Sequence, residues 1–181
     1  MVKKIYFLLC MIFFAAMLFG CGYTTGSLLP ADQRSIYVDN FKNGIDVGKE
    51  NTEYSKYALY RPGLENDVTL AVVDRFTFDG NLKIANRDNA DIVLTGTLSD
   101  YRKEALRYDN ADNVEEYRVK ITVDMELIRP RDNKVLWHEK AFTGESTYNT
   151  TGRFATSEQL ARDEAVEDLA RRVVERTVEG W

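Results

Sequence analysis

Cys21 is the residue of this chain best placed to do chemistry, because it ends the motif Leu18-Phe19-Gly20-Cys21. A cysteine directly after a small residue, with a leucine three positions before it, is the pattern of a bacterial lipobox. At such a motif a signal segment is cleaved before the cysteine, and the thiol and the new amino group receive acyl chains such as palmitate. Two or more chains hold a protein firmly on a membrane, whereas one chain binds only marginally. The motif therefore predicts lipidation of Cys21 and a membrane anchor.

The residues around Cys21 support this interpretation. Two lysines form a basic start, and the apolar segment 5–19 is short for a membrane span. This arrangement is typical of a secretory signal peptide, so we expect residues 1–20 to be removed and the domain to fold outside the cytoplasm. An ordinary signal peptide or a single-pass anchor is the alternative. Gly22 stands where an aspartate would signal retention in the inner membrane, which favours the outer membrane.

The other residue types give no catalytic constellation. Cys10 lies in the signal segment, and the single histidine, His138, stands beside a tryptophan on a predicted strand, where packing or exposure is commoner than catalysis. The carboxylates show no paired spacing, and the serine-hydrolase, phosphate-loop and dinucleotide motifs are missing. We therefore expect no enzyme activity, metal or cofactor. Loss of two lysines with the signal takes the net charge from −5 to −7, which argues against nucleic acid as a partner.

Four side chains are candidates for a binding surface on the exposed side of a predicted sheet: Tyr101, Lys103, Arg118 and Lys120. They share that side if Leu98 and Val119 face the core together. Ammonium and guanidinium groups make charge-assisted hydrogen bonds to phosphate, so the three cations could hold a phosphorylated ligand. The alternative is an ordinary solvated face on which Glu116 neutralises Lys103.

Tyr54, Tyr57 and Tyr60 are spaced three apart within the polar segment 42–61. A structureless segment of this length inside a compact domain is usually functional or disordered. The same spacing would also place the three rings on one face of a helical turn. Both interpretations stay open. Because aromatic side chains supply amphipathic interface area, the tyrosines are candidates for contact with another protein.

Two amphipathic helices are predicted to support these surfaces. The first opens at Pro62-Gly63 and ends at Asp79-Gly80, because proline suits a first turn and glycine accepts the left-handed cap conformation. The second spans 158–178 after Ser157, a good N-cap residue. Each has an apolar stripe at helical spacing, with Leu64, Val68, Ala71, Val72 and Phe76 in the first and Ala165, Val166, Leu169, Ala170, Val173 and Val174 in the second.

Alternation of apolar and polar residues predicts the strands. They are expected at 35–39, 82–84, 92–99, 117–127 and 135–142. Between them, 105–116 is expected to be a loop and 143–156 a polar link. One buried and one wet face indicate a mostly antiparallel sheet of about four or five strands. The predicted fold is a two-layer α+β domain, 35–181, with both helices on one face of the sheet, behind a lipidated tether of residues 21–34.

The order of these parts resembles the LptE family of lipopolysaccharide-assembly lipoproteins. The motifs that carry the resemblance are Cys21-Gly22-Tyr23, Ser35-Ile36-Tyr37-Val38-Asp39-Asn40-Phe41, Pro62-Gly63-Leu64-Glu65, Ala90-Asp91-Ile92-Val93-Leu94-Thr95-Gly96-Thr97-Leu98 and Val135-Leu136-Trp137. Together they cover most of the mature chain. The resemblance implies an outer-membrane lipoprotein that sits as a plug and assembly factor inside the LptD β-barrel and binds lipopolysaccharide on its way to the cell surface.

On this resemblance, the three cations Lys103, Arg118 and Lys120 are expected to contact lipopolysaccharide, and the three tyrosines are expected to contact the barrel. The alternative is a periplasm-facing lipoprotein that activates a peptidoglycan synthase. A tether of about 13 residues before Ser35 is short for that second role.

Overall fold

The computed structural model describes residues 29–30, 32–45 and 62–179. Several predicted features lie outside the described residues: 1–20, Cys21, Tyr54, Tyr57 and Tyr60. The signal peptide, the tether and the domain boundaries therefore stay predictions. Among the described residues, no helix is long and apolar enough to cross a membrane.

Within these residues the chain forms six strands and two α-helices. The strands are β1 (Ser35–Val38), β2 (Lys42–Asn43), β3 (Lys83–Ile84), β4 (Ile92–Tyr108), β5 (Val114–Arg129) and β6 (Lys134–Asn149). The helices are α1 (Leu64–Asp79) and α2 (Glu158–Glu179), and a short 3₁₀ turn spans Arg87–Asn89.

The six strands form one mixed sheet in the order β3-β1-β4-β5-β6, with β2 also paired to β4. The long strands β4, β5 and β6 form an antiparallel meander, whereas β1 runs parallel to β3 and β4. Helix α1 lies between β2 and β3 in the sequence and supplies the crossover that parallel strands need. The predicted two-layer α+β class is confirmed. The sheet has more strands than the expected four or five, and its short strands are parallel.

The start and the end of α1 and the start of α2 lie where capping chemistry predicts. Gly63 (φ 96°) precedes α1 and Gly80 (φ 74°) follows it, and the Gly80 N–H donates to the carbonyl oxygen of Phe76 at 3.1 Å. Both glycines have the left-handed conformation that residues with a Cβ rarely adopt. At the start of α2, the Ser157 hydroxyl oxygen accepts a hydrogen bond from the Leu160 N–H at 3.1 Å.

The two helices pack on one face of the sheet and bury a continuous apolar core. Its largest fully buried side chains include Ile36, Phe76, Ile92, Leu94, Leu98, Tyr101, Ile121, Met125 and Leu169. Gly144 on β6 lets α2 come unusually close, because a Cβ there would lie 2.5 Å from the Cβ and backbone nitrogen of Leu169. This close approach fixes α2 over the last strand.

The expected loop 105–116 and the expected link 143–156 are wrong in length, because most of the first and the first half of the second are strand. The β4–β5 turn is confined to 109–113. The Asp109 carboxylate closes this turn by accepting hydrogen bonds from the side-chain amide and backbone N–H of Asn113 and from the Ala111 N–H. These bonds lower the pKa of the Asp109 carboxyl group. Bulges in β4 interrupt the alternation on which the sequence prediction depended.

Candidate functional site

The sheet has two unlike faces. Val119, Ile121 and Val123 of β5 are buried under the helices, so the alternating residues Arg118 and Lys120 point to the opposite side. Within the described residues that side carries no helix, and we call it the open face. It is the face on which the sequence predicts a cluster of cations.

Leu98 and Val119 face the core together, as the predicted arrangement requires, and both are fully buried. A register shift of β4 against β5 nevertheless lies between Leu98 and Asp100. An extra residue in one strand moves the following side chains to the other face. Tyr101 is consequently 1% exposed in the core, and Lys103, which pairs with Val119, also lies on the helix face. The expectation that these two side chains share the open face with Arg118 is therefore wrong.

Lys103 instead joins β4 to the start of α2. Its ammonium group lies 2.9 Å from the carboxylate of Glu158, and the two side chains are 20% and 19% exposed. The hydrogen bond to Glu158 raises the pKa of the Lys103 ammonium above its ordinary value, in spite of partial burial. The same ammonium lies 5.0 Å from the centre of the Tyr117 ring, which stacks on Tyr148 at 5.6 Å. This arrangement fastens a helix to the sheet.

Arg118 and Lys120 do lie on the open face, where Arg102 joins them. Arg102 is the direct partner of Lys120 in the β4–β5 ladder. We call Arg102, Arg118 and Lys120 the basic patch. Sequence reasoning missed Arg102, although the spacing of Leu98 and Tyr101, two apolar residues three apart, is a signal that the period of two is broken between them.

Carboxylates surround the basic patch. Arg102 contacts Asp100 at 2.5 Å, and Arg118 lies 3.8 Å from Glu145. Lys120 lies between two ladder partners of opposite charge, Arg102 on β4 and Glu145 on β6. Like charges directly opposite each other are unfavourable in a sheet, whereas opposite charges are favourable. Among the described residues Lys120 forms no close ion pair, so it is the cation of the patch best placed to pair with an added anion.

A polar groove of about 270 Å³ lies further along the open face. It is lined by residues that include Lys42, Thr95, Asp124, Glu126 and His138. Glu126 is the ladder partner of His138. No group of three or more histidine, cysteine, aspartate or glutamate side chains suited to a metal occurs in the described part of the chain. The groove therefore contains both cationic and anionic side chains that can form hydrogen bonds.

The outward sides of the two helices differ in character. On α1, Leu70 is 63% exposed and Phe78 is 83% exposed, and they lie two turns apart, about 12 Å along the helix. The outward side of α2 is charged, with Arg171 paired to Asp168 and Glu175. The exposed Asp74 lies four residues from each of them, so they are two separate apolar side chains on a mixed surface. We call Leu70 and Phe78 the apolar face of α1.

The chain is similar to a known family in sequence and to known proteins in fold. A family model described as LptE, lipopolysaccharide-assembly, matches residues 34–177. No curated protein matches the chain by sequence. A solved structure from Xanthomonas campestris, of family DUF330, is 13% identical with a TM-score of 0.53, covering 81% of this chain and 85% of its own. Rare lipoprotein B from Shewanella oneidensis is 17% identical with a TM-score of 0.46, over 82% and 92% of the two chains.

A further similar structure is the PelC dodecamer from Paraburkholderia phytofirmans, which is 18% identical with a TM-score of 0.45, over 85% and 94% of the two chains. At these identities the likeness concerns the fold alone. The match to the family model begins just before β1 and ends in the last turn of α2, so it includes the whole sheet and both helices.

Proposed function

Because the chain belongs to the LptE family of lipopolysaccharide-assembly proteins, we propose that it is a lipid-anchored outer-membrane partner of an LptD-like β-barrel. In this role it sits in the barrel lumen as a plug and assembly factor while lipopolysaccharide passes to the cell surface. The observation that carries the proposal is the family match over residues 34–177. It spans the complete two-layer unit, so the similarity is not confined to one motif.

The surface chemistry supports a binding role. The open face presents the basic patch, and its cations can make charge-assisted hydrogen bonds to the phosphates of lipopolysaccharide. The sequence pattern predicts Lys103 together with Arg118 and Lys120 as the contact, but Lys103 lies on the helix face. We therefore propose Arg102, Arg118 and Lys120 as the contact. Nearby carboxylates confine the attraction of phosphate groups to the basic patch. Such local, limited attraction suits a ligand that must be released again.

The apolar face of α1 supports a second contact, with protein. Leu70 and Phe78 are the exposed large apolar side chains of α1, whereas the outward side of α2 carries ion pairs. Aromatic side chains are enriched in protein interfaces. We propose that this face contacts the barrel wall, and that Tyr54, Tyr57 and Tyr60 contribute to the same interaction.

Affinity purification from detergent-solubilised outer membranes tests the partner. A tagged full-length chain is expected to recover one large β-barrel protein in stoichiometric amount. The Cys21→Ser chain is the control, because it lacks the proposed anchor. Recovery of a peptidoglycan synthase without a barrel would favour the alternative function and contradict our proposal.

Titration with purified lipopolysaccharide tests the ligand. In the mature chain, the triple variant Arg102→Ala/Arg118→Ala/Lys120→Ala is expected to bind roughly tenfold or more weakly, since each lost charge-assisted hydrogen bond costs on the order of 1 kcal/mol or more. The matched control removes three exposed lysines elsewhere, Lys83, Lys134 and Lys140, and so makes the same change in net charge. Equal weakening in both variants would show a nonspecific charge effect and contradict the patch.

A further inference from the structure

The outer edge of β6 is the long free edge of the sheet. Within the described residues β6 is the last strand in the order and pairs on one side with β5. A free edge presents unpaired N–H and C=O groups and can pair with the edge of another chain. The segment 142–149 is the longest part of β6 without a register shift against β5. It contains phenylalanine, threonine and tyrosine and a single charged residue, a composition that favours strand pairing.

Two side chains of α2 occupy this edge. The guanidinium of Arg172 donates a hydrogen bond to the backbone carbonyl oxygen of Thr143 at 2.6 Å. The backbone N–H of Glu145 donates to the carboxylate of Asp168 at 3.1 Å. Backbone groups of residues two apart point to the same side of a strand. The two groups thus satisfied are the ones that a neighbouring strand would use.

The contact by which α2 covers the edge of β6 depends on Gly144. Because this residue has no Cβ, the backbone of α2 lies directly against it at Leu169. Asp168 and Arg172 flank Leu169 on the helix and lie 3.9 Å apart. They are thereby held beside the strand edge, where Asp168 also pairs with Arg171 at 2.5 Å. At the end of β6, the Asn149 carbonyl oxygen accepts a hydrogen bond from the Thr156 N–H at 3.0 Å, which closes the edge further.

The first part of β6, before residue 142, is protected against pairing with another strand in a different way. A register shift lies near Ala141, whose φ is 52°, and lysines lie at positions 134 and 140. Bulges and lysines are two devices by which proteins keep edge strands from pairing. The regular segment 142–149 has neither device, and it is the segment that α2 closes.

We propose that Asp168 and Arg172 close the edge of β6 against pairing with β6 of a second copy of this chain. A second copy is the relevant occupant because it presents an identical regular edge, and two identical edges can pair about a two-fold axis. The pair is thus a guard against self-association. The inference does not depend on the proposed function.

Self-association of charge-pair variants tests this inference. The mature chain, purified in detergent, is expected to be monomeric by sedimentation, whereas Asp168→Ala/Arg172→Ala forms dimers or larger species. The matched control is Arg162→Ala/Asp163→Ala, which removes an ion pair of 2.8 Å from the same helix and is expected to stay monomeric. A monomeric Asp168→Ala/Arg172→Ala variant with an intact fold would overturn the proposal.

A third substitution identifies the surface involved. Adding Glu145→Pro to the double variant removes the outward N–H that a partner strand needs, and proline is tolerated on an edge strand where the N–H faces away from the sheet. Return to the monomer is expected. Persistent association would show that another surface is responsible and would contradict the proposal.

Amide exchange gives a readout that does not require association. The Glu145 N–H is expected to be protected in the unsubstituted chain and to exchange roughly tenfold or more faster in Asp168→Ala, since its hydrogen-bond acceptor is lost. This comparison of exchange rates tests the proposal even if the double variant folds poorly. An unprotected Glu145 N–H in the unsubstituted chain would show that the edge is open, against our proposal.

Discussion

Lys103 shows how a single residue changes role when the strand beneath it is bulged. In sequence it is one of three cations on an alternating pattern, and nothing in its type separates it from Arg102. The bulge after Leu98 turns it toward α2, where Glu158 and the Tyr117 ring receive its charge. The apolar–polar alternation along β4 therefore does not predict which residues form the basic patch. Arg118 and Lys120 could be, because β5 keeps an unbroken alternation.

The Lys103–Glu158 pair should contribute to stability in a pH-dependent way. Lys103→Met is expected to lower the free energy of unfolding by about 1–3 kcal/mol at neutral pH, because it removes the ammonium group that pairs with the mostly buried Glu158 carboxylate. The folded-state pKa of Lys103 is raised above 10.5. Its stabilisation is therefore complete below the unfolded-state pKa, near 10.4, and is lost as the pH rises through the folded-state pKa.

Urea unfolding of both proteins at about pH 8 and about pH 11.5 measures this effect. The difference between the unsubstituted chain and Lys103→Met is expected to shrink at the higher pH. Lys140→Met, at an exposed position of β6, is the control and should show little difference at either pH. A difference for Lys103→Met that is the same at both pH values would contradict the assignment.

At the scale of the elements, capping residues and apolar stripes determine what can be predicted. The bounds of α1 follow from two glycines, and the start of α2 follows from Ser157. The lengths of β4 and β6 do not follow in this way. The outer half of β4 carries bulges. The outer half of β6 pairs without a register shift, but its side chains are mostly small or polar, so the apolar–polar alternation is lost although backbone pairing continues. The contact between α2 and β6 is visible in sequence only as one glycine.

Gly144 is the position at which this contact can be tested. Gly144→Ala is expected to lower the free energy of unfolding by about 1–3 kcal/mol, since the new Cβ would overlap backbone and side-chain atoms of Leu169. Chemical denaturation followed by circular dichroism measures it. Thr147→Ala, at an exposed position of the same strand, is expected to change stability by less than about 0.5 kcal/mol. A neutral Gly144→Ala would show that α2 can move away from β6 without cost.

The apolar face of α1 makes the opposite prediction, an effect on binding without an effect on stability. Leu70→Glu/Phe78→Glu is expected to leave the free energy of unfolding within about 0.5 kcal/mol, because both side chains are mostly exposed. Recovery of the barrel in affinity purification should nevertheless fall sharply. Leu160→Glu, on the half-exposed first turn of α2, is the matched control. Full recovery of the barrel with the double variant would exclude this face as the contact.

For the whole molecule, the sequence was sufficient for the layer architecture but not for the strand order. Two apolar stripes and two alternating strands require helices on one side of a sheet, and that arrangement is observed. β1, β2 and β3 are two to four residues long, too short for a pattern to show whether they pair in parallel. Their placement depends on tertiary contacts such as the Asp91 carboxylate, which accepts hydrogen bonds from the backbone N–H groups of Arg34 and Ser35 at 3.0 Å.

The predicted anchor decides where this architecture operates. On our proposal Cys21 carries the acyl chains, so metabolic labelling with a palmitate analogue should label the unsubstituted chain and leave Cys21→Ser unlabelled. Cys10→Ser is the matched control, since Cys10 lies in the segment expected to be removed, and it should be labelled normally. Membrane fractionation should place the labelled chain with the membranes, because several acyl chains together bind far more strongly than one. The outer membrane is expected because Gly22 stands where an aspartate would signal inner-membrane retention. A labelled Cys21→Ser chain would show that the anchor lies elsewhere, and the short reach from the bilayer to β1 would no longer support a partner in the same membrane.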